Sequence, residues 1–440
     1  MEQPFEAPVP SEQEAGSEGL ALSKEEMLDL IMDMCVMTNK LCGFSRKSAE
    51  VVLSERKKPT NLGKLLFFLK YFREFVGVAE EMIWAPRKEI VWERRFVPLL
   101  SVSRADGATA TEMIKRGYPK RLPQRILCGT KSTSVDTYEM RFLLWFVLRL
   151  VEYANFALPE LLELGQDDEE EAKWSAYVRN EVQGSRQRLL FLLRRLEDMG
   201  LTPLSYPENP PLSFLLHPTY SKLWRLYRQF EGMILPKDLQ SQILKVSEWW
   251  RLYELWCFLS VVFALNEYWV EDTPRQLDDW LWSEKVFPRP HETNESVEIQ
   301  MKGFWIYYQE RFNYYEGERG LGSLSTTVIP DICLISDDAE SVLIFDAKFK
   351  HFIDLIGRQD GASSFHDIHK YRDAIVRNGK PCVFGAFLLA PHAGKDGGFK
   401  PFDWEWKTRH RFGAVEMRPR KKGESRAEIA RIFDSWIQRR

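Results

Sequence analysis

The sequence lacks the short signatures that mark most hydrolases and nucleotide-binding enzymes. Among its 440 residues there is no Gly-x-x-x-x-Gly-Lys-Ser/Thr phosphate loop, no His-Glu-x-x-His helix and no Gly-x-Ser-x-Gly turn. ATP hydrolysis, zinc proteolysis and serine-hydrolase chemistry therefore have no motif to rest on. The six cysteines (Cys35, Cys42, Cys128, Cys257, Cys333 and Cys382) are scattered without a Cys-x-x-Cys pair, which argues against a zinc ribbon or a disulfide framework. Several of them sit in apolar runs, as small buried hydrophobes do. Neither sign of charge dominates: 61 Lys and Arg face 64 Asp and Glu, a formal net charge of −3. A molecule coated in positive charge is excluded, and a nucleic-acid partner would have to be met by a local cationic surface. The most apolar run, 255–265, is short and flanked by charge, and no basic-then-apolar leader opens the chain. The expectation is a cytoplasmic protein that neither spans nor anchors in a membrane.

What is present is bulk. Hydrophobic residues make up 44% of the chain and aromatic residues 13%, with 15 Trp. Cores built from such side chains are large, and this length favours two domains. Residues 1–20, rich in Glu, Pro, Ser and Gly, read as a disordered leader. Residues 21–235 read as a mainly helical domain. Its first helix opens on Ser23 and Glu26, the spacing of a capping box, and continues with Met27, Leu30, Ile31, Met34 and Cys35 at helical intervals. Further helices are expected over 62–75, 136–157 and 220–230, with a strand or two in 89–103. Asp136 and Glu139 repeat the capping-box spacing. From 236 to 440 the pattern changes to a long helix over about 239–268, then short apolar runs at 304–308, 328–335, 341–349 and 382–389, with a helix at 366–377. Helix, strands, helix, strand is the order of an α/β core.

Two of those strand candidates carry chemistry. Asp331 follows Ile329-Pro330 on one, and Asp346-Ala347-Lys348 ends the other, with a turn rich in Asp and Ser between them. Asp346 and Lys348 are two apart and share one face of a strand. A register that sets Asp331 beside them gathers two carboxylates and an ammonium at one spot. Carboxylates hold a hard divalent cation such as Mg²⁺ or Mn²⁺. A nearby lysine stabilises developing charge on phosphate or orients the attacking water. Asp346 ends the apolar run Val342-Leu343-Ile344-Phe345, where an uncompensated charge is costly.

The arrangement Pro330-Asp331…Asp346-Ala347-Lys348 resembles the PD-(D/E)XK nuclease superfamily. That resemblance implies further site residues. Glu254, in Leu252-Tyr253-Glu254-Leu255-Trp256, stands where many members place an acid on the preceding helix. The segment Asp367-Ile368-His369-Lys370-Tyr371 stands where they place a polar helix, often Gln-x-x-x-Tyr; here Asp367 holds the Gln position. More narrowly, the chain is similar to bacterial proteins that join a DUF2357 region to a DUF524-like nuclease domain, related to the nuclease subunit of McrBC-type restriction systems. Val135-Asp136-Thr137-Tyr138-Glu139-Met140-Arg141-Phe142 and Pro218-Thr219-Tyr220 carry the first-half likeness. The resemblance implies a restriction-endonuclease-like domain with a central mixed sheet flanked by helices. It also implies metal-dependent cleavage of DNA in defence against invading DNA, and a motor NTPase on another chain as a partner. Asp331, Asp346 and Glu254 would be the metal ligands, Lys348 the charge stabiliser, and Tyr371, His369, Lys370 and Asp367 supporting residues.

Bland readings stand beside these. Asp331 alone suits a strand end, Glu254 could pair with Arg251, and His369 and Lys370 suit the exposed side of an amphipathic helix. The basic run Arg418, Arg420, Lys421 and Lys422 suits either phosphate contact or a solvated tail. A nuclease fold that has lost activity and serves as a scaffold, and a nuclease directed at RNA, remain as alternatives.

Overall fold

The computed structural model describes residues 21–44, 62–102, 106–116, 124–163, 169–206, 210–236, 239–240, 245, 248–282, 296–314, 320–349, 364–391 and 400–439. The expected leader at 1–20 lies outside these residues. Two compact units form, one from 67–160 with 178–230, the other from 1–66, 161–177 and 231–440. This differs from the expected boundary at 235/236. Helix α1 (Lys24–Phe44) belongs by its contacts with the C-terminal half. Helical periodicity shows that such a helix buries one face, but not against what. Its start follows the sequence: Glu26 N donates to Ser23 Oγ at 3.3 Å, and Ser23 N donates back to Glu26 Oε2 at 3.1 Å.

The helical unit is built on aromatic rings. It includes helices α2 (Leu65–Lys70, from residue 67 onward) and α3 (Phe72–Trp84), then the antiparallel pair β1 (Glu89–Pro98) and β2 (Arg125–Ser134) on either side of α4 (Gly107–Lys115). Most of α5 (Tyr138–Glu163), α6 (Glu169–Asp198) from residue 178, α7 (Leu212–Leu216) and most of α8 (Pro218–Gly232) complete it. Phe146 meets Phe75 edge-on at 5.3 Å between centroids and lies 5.8 Å from Phe230; Phe142 meets Phe214 edge-on at 5.5 Å. Edge-on pairs of this kind add about 0.5–1.5 kcal/mol each beyond the area they bury. The stretch Tyr138–Pro159 of α5 is long and apolar enough to cross a bilayer by length and composition, yet its Phe142, Phe146 and Leu150 are fully buried against protein. The capping box expected at Asp136 and Glu139 does not form. Asp136 instead accepts from Arg141 Nε at 2.9 Å and Thr202 N at 3.2 Å, while buried Glu139 pairs with Arg87 at 2.6 Å.

The second unit carries a six-stranded mixed sheet. Helices α9 (Trp249–Ala264) and α10 (Thr273–Leu281) precede strands β3 (Val297–Met301) and β4 (Phe304–Tyr308). The short β5 (Leu321–Ser323) leads to β6 (Ile332–Ser336) and β7 (Val342–Ala347). Helix α11 (Ser364–Ala374), strands β8 (Ile375–Arg377) and β9 (Lys380–Pro381), and β10 (Val383–Ala390) follow. Helix α12 (Trp404–His410), strand β11 (Phe412–Glu416) and helix α13 (Lys422–Ile437) end the chain's described part. The sheet order is β11-β10-β7-β6-β4-β3; β7, β10 and β11 run parallel, and the β3-β4-β6-β7 run is antiparallel. A smaller sheet has the order β5-β8-β9.

Every residue of β6 and β7 is buried, which is why both read as unbroken apolar runs. On one face Cys333, Ile344, Leu388 and Ala414 share a core with Ile368 of α11. On the other, Phe304 packs on Phe433 and Trp436 of α13, at 4.8 and 5.8 Å between centroids. Helix α9 starts at Trp249, later than the expected 239, and 241–244 and 246–247 lie outside the described residues.

Candidate active site

The ladder between β6 and β7 pairs Ile332 with Phe345. One step further sets Asp331 opposite Asp346, and residues directly opposite in an antiparallel pair point to the same face. The Ala347 amide donates to Asp331 Oδ2 at 2.8 Å, and Gln309 N donates to the Asp331 carbonyl at 2.8 Å. The first bond fixes one carboxylate oxygen and leaves Oδ1 for a ligand. Lys348, just past the strand end, is held by its own amide donating to the Leu389 carbonyl at 2.9 Å. Its Nζ stands 2.7 Å from Asp346 Oδ2 and 3.8 Å from Asp367 Oδ2.

Asp346 is fully buried, and apart from the Lys348 ion pair neither of its oxygens has a hydrogen bond of regular geometry among the described residues. An ionised carboxylate in that state is costly unless something else compensates it. Burial and the charge of Asp367 push its acidity down; the Lys348 ammonium and the Tyr371 hydroxyl oppose the shift. The net effect is a carboxyl raised above its usual range. Asp331 is raised well above its range by burial, then by the charges of Asp346 and Glu254. Glu254, on α9, is pushed up to about 8 by burial and the nearby charge of Asp346, with Lys348 and Arg251 pulling the other way. Arg251 itself pairs with Glu248 at 3.0 Å, so the bland pairing expected for Glu254 is taken. Burial alone would weaken the Lys348 ammonium, but Asp346 and Asp331 hold it protonated, above its ordinary range.

The supporting helix divides. Asp367 and Tyr371, four apart on α11, both face the centre. Tyr371 stays protonated because burial and the carboxylates of Asp346 and Asp331 disfavour its phenolate. His369 turns away and stacks on Phe412 at 4.2 Å, and Lys370 is exposed. The structure thus brings together Glu254, Asp331, Asp346, Lys348, Asp367 and Tyr371. Sequence reasoning missed two buried neighbours, Tyr308 on β4 and Cys257 one turn beyond Glu254; both have acidities lowered by burial and by nearby site carboxylates. Neither carries a motif, and no local signal could have found them.

The basic run is placed elsewhere, against α1. Arg418 pairs with Glu26, Arg420 with Glu25 at 2.9 Å and Asp29 at 3.1 Å, and Lys422 with Asp33 at 2.6 Å. Lys421 pairs with Glu416 at 2.8 Å. Arg418, Arg420 and Lys422 are thus engaged in holding α1 to the C-terminal segment.

Among the described residues no group of three His, Cys, Asp or Glu side chains is placed to hold a metal ion between them. Mg²⁺ does not require one, since it commonly keeps several waters and binds through one or two carboxylates. Asp346, whose Oδ1 has no partner among the described residues and whose Oδ2 meets Lys348, stands opposite Asp331, and that pair of carboxylates fits such an ion.

A mixed sheet covered by helices on both faces, with Asp331 and Asp346-Ala347-Lys348 at adjacent ends of its central strands, defines a restriction-endonuclease-like domain. Residues 251–395 match the family model of the PD-(D/E)XK nuclease superfamily, and residues 25–200 match that of a domain of unknown function, DUF2357. Residues 251–395 are thus similar to that nuclease superfamily, and residues 25–200 to a DUF2357 region. No curated protein matches the sequence.

Proposed function

We propose that the chain is a divalent-metal-dependent endonuclease that cuts DNA, acting in the cytoplasm in defence against invading DNA. The observation that carries this reading is Asp346: a fully buried carboxylate with no regular hydrogen bond, facing Lys348 and opposite Asp331. Asp331, Asp346 and Glu254 would hold Mg²⁺ or Mn²⁺, which when bound polarises the phosphate and acidifies a coordinated water.

The chain's own residues then have distinct tasks. Lys348 keeps its proton, so it serves as a fixed cation against charge building on the phosphate oxygens rather than as a base. Tyr371 also keeps its proton, and its hydroxyl offsets part of the cost of charge on Asp346. The Ala347 amide holds Asp331 in line with it. Hydrolysis adds the water oxygen to phosphorus, breaks one P–O bond, and gives the leaving alkoxide a proton.

A defence role, a separate NTPase as partner and restrained cleavage by the isolated chain belong to this proposal and rest on the motif resemblance to McrBC-type restriction systems; the DUF2357 match itself is to a domain of unknown function. The test is cleavage of plasmid DNA, single-stranded DNA and RNA, with and without Mg²⁺, by wild type and by Asp346→Ala and Lys348→Ala. Metal-dependent DNA cleavage lost in both variants supports the reading. Preferential RNA cleavage would redirect it to an RNA nuclease, and equal activity of the variants would leave a scaffold.

A further inference from the structure

We propose that the outward face of the β1–β2 hairpin in the helical unit binds unpaired, single-stranded stretches of nucleic acid. This rests on the nuclease reading for the nature of the ligand, and it assigns the DUF2357 region a task.

The hairpin's two faces are sorted in an unusual direction. In β1 the side chains of Ile90, Trp92, Arg94 and Phe96 alternate with those of Val91, Glu93 and Val97 and are the more exposed set. In β2 Ile126 and Cys128 are buried, and they pair with Val97 and Arg95, so that face turns inward. A two-stranded element normally shows polar residues to solvent. Here Ile90 is 66% exposed, Trp92 59% and Phe96 47%. Exposed apolar surface grouped in this way marks an interaction site.

Cations accompany the rings. Lys131, directly opposite Trp92 in the ladder, stands 5.4 Å from the centre of its ring, and the Arg116 guanidinium lies 4.8 Å over Phe96. The Trp92 ring also passes over Gly129, 3.6 Å from where a Cβ would stand, which is ordinary van der Waals contact. Arg94 sits between the two aromatics and pairs with Asp106 at 3.4 Å, both side chains being more than half exposed. Such surface pairs are worth little and exchange readily for phosphate.

The flat rings are left about half-exposed on a strand face flanked by α4, with ammonium and guanidinium groups at their edges in exposed or half-exposed pairs (Arg94 with Asp106, Arg116 with Glu112). Such a face matches single-stranded nucleic acid: bases stack on the rings and phosphates meet the cations. Duplex DNA keeps its base faces covered. The chain's overall charge balance and the engagement of Arg418, Arg420 and Lys422 with α1 make a separate cationic surface necessary for such a substrate.

The test is fluorescence anisotropy of a labelled short oligothymidine with the full chain in EDTA, so that no cleavage competes. Trp92→Ala should weaken binding by at least about fivefold, since stacking on one ring is worth about 1–3 kcal/mol per base. Trp92→Phe should keep most of the affinity, and Lys131→Glu should weaken binding and flatten its salt dependence. Trp84→Ala, an exposed tryptophan off the hairpin, should change nothing. No binding by wild type, unchanged binding by Trp92→Ala and Lys131→Glu, or equal Trp92-dependent binding of a matched duplex would each overturn the proposal. Unchanged binding would be the result if the face docks a protein. Because EDTA binding is read apart from cleavage, hairpin variants that bind normally while wild type still cuts DNA refute this inference alone. Hairpin-dependent binding by a protein that never cuts supports it and refutes the nuclease reading alone.

Discussion

Asp331 Oδ2 accepts the amide proton of Ala347 at 2.8 Å, so the carboxylate of one strand is tied to the backbone between Asp346 and Lys348 on the next. That bond fixes the register on which the site depends. A slip of one residue would turn Asp346 and Lys348 to the opposite face. It also spends one Asp331 oxygen on structure, which makes Asp346 the carboxylate with most capacity to spare for a ligand.

Loss of the central cation should be read in turnover rather than in binding. Lys348→Ala and Asp346→Ala are each expected to lower kcat for DNA cleavage by about a hundredfold or more, the effect typical of removing one preorganised charge-stabilising group. Oligonucleotide affinity in EDTA should stay within about twofold, because the binding face proposed here lies on other residues. Single-turnover cleavage beside anisotropy checks both halves of the expectation.

The carboxylates make the metal-free protein sensitive to alkali. Glu254 is raised in the folded state from 4.5 to about 8, and Asp331 and Asp346 are raised too. Between those values the folded state binds more protons than the unfolded one, so stability is full at the acid end and falls as pH rises towards about 8. Melting in EDTA should show Tm decreasing across that window, with Glu254→Gln flattening the slope. Metal binding must displace those protons. Titrations with Mg²⁺ in two buffers of different ionisation enthalpy should therefore report proton release, and an unvarying enthalpy would contradict the lowered acidities of these carboxyls.

Asp33 ties α1 to α9 and α13. It is 3% exposed, and it accepts from Trp256 Nε1 at 2.9 Å, Lys422 Nζ at 2.6 Å and Arg426 at 2.6 Å. Asp33→Ala leaves two cations and an indole without their partner and should cost about 3 kcal/mol in urea unfolding, the low end for a broken buried pair because Lys422 is partly solvated. Arg420→Ala, at an exposed pair, should cost no more than about 1 kcal/mol. Neither Arg420→Ala nor Lys421→Ala is expected to weaken nucleic-acid binding.

Within the supporting helix, Tyr371 should outweigh Asp367. Tyr371→Phe removes a hydroxyl that favours the charged form of buried Asp346 and is expected to lower kcat about tenfold, about 1.4 kcal/mol in the barrier. Asp367 is half-exposed and 3.8 Å from Lys348, so Asp367→Asn should have a smaller effect. A His369→Ala change, away from the centre, should leave turnover near wild type and lower stability through the lost Phe412 stack.

The site was legible where burial and polarity conflict within a few residues. Asp346 after Val342-Leu343-Ile344-Phe345 and Glu254 among Leu252, Tyr253, Leu255 and Trp256 are carboxylates in apolar runs, and such positions need a reason. The strands at 304–308 and 342–347 were legible for the same cause, being covered on both faces. What depends on distant partners was not. The Arg418 run meets Glu26 across 392 residues of sequence, and no local pattern distinguishes a cation bound for a carboxylate from one bound for phosphate. Helix α1 is amphipathic whichever unit it joins. Tyr308 reads as an ordinary strand residue until β4 carries it towards Glu254. The strand β2 was hidden by its Ser and Thr content, which mimics a loop, although ten cross-strand pairs hold it to β1.

The most direct test of the central claim is anomalous diffraction from crystals soaked in Mn²⁺. The account predicts a peak within ligand distance, about 2.0–2.3 Å, of an Asp346 carboxylate oxygen, with Asp331 or Glu254 also coordinating the ion directly or through water. A soaked crystal with the peak only at other carboxylates, and with Asp346 still facing Lys348 alone, would contradict it.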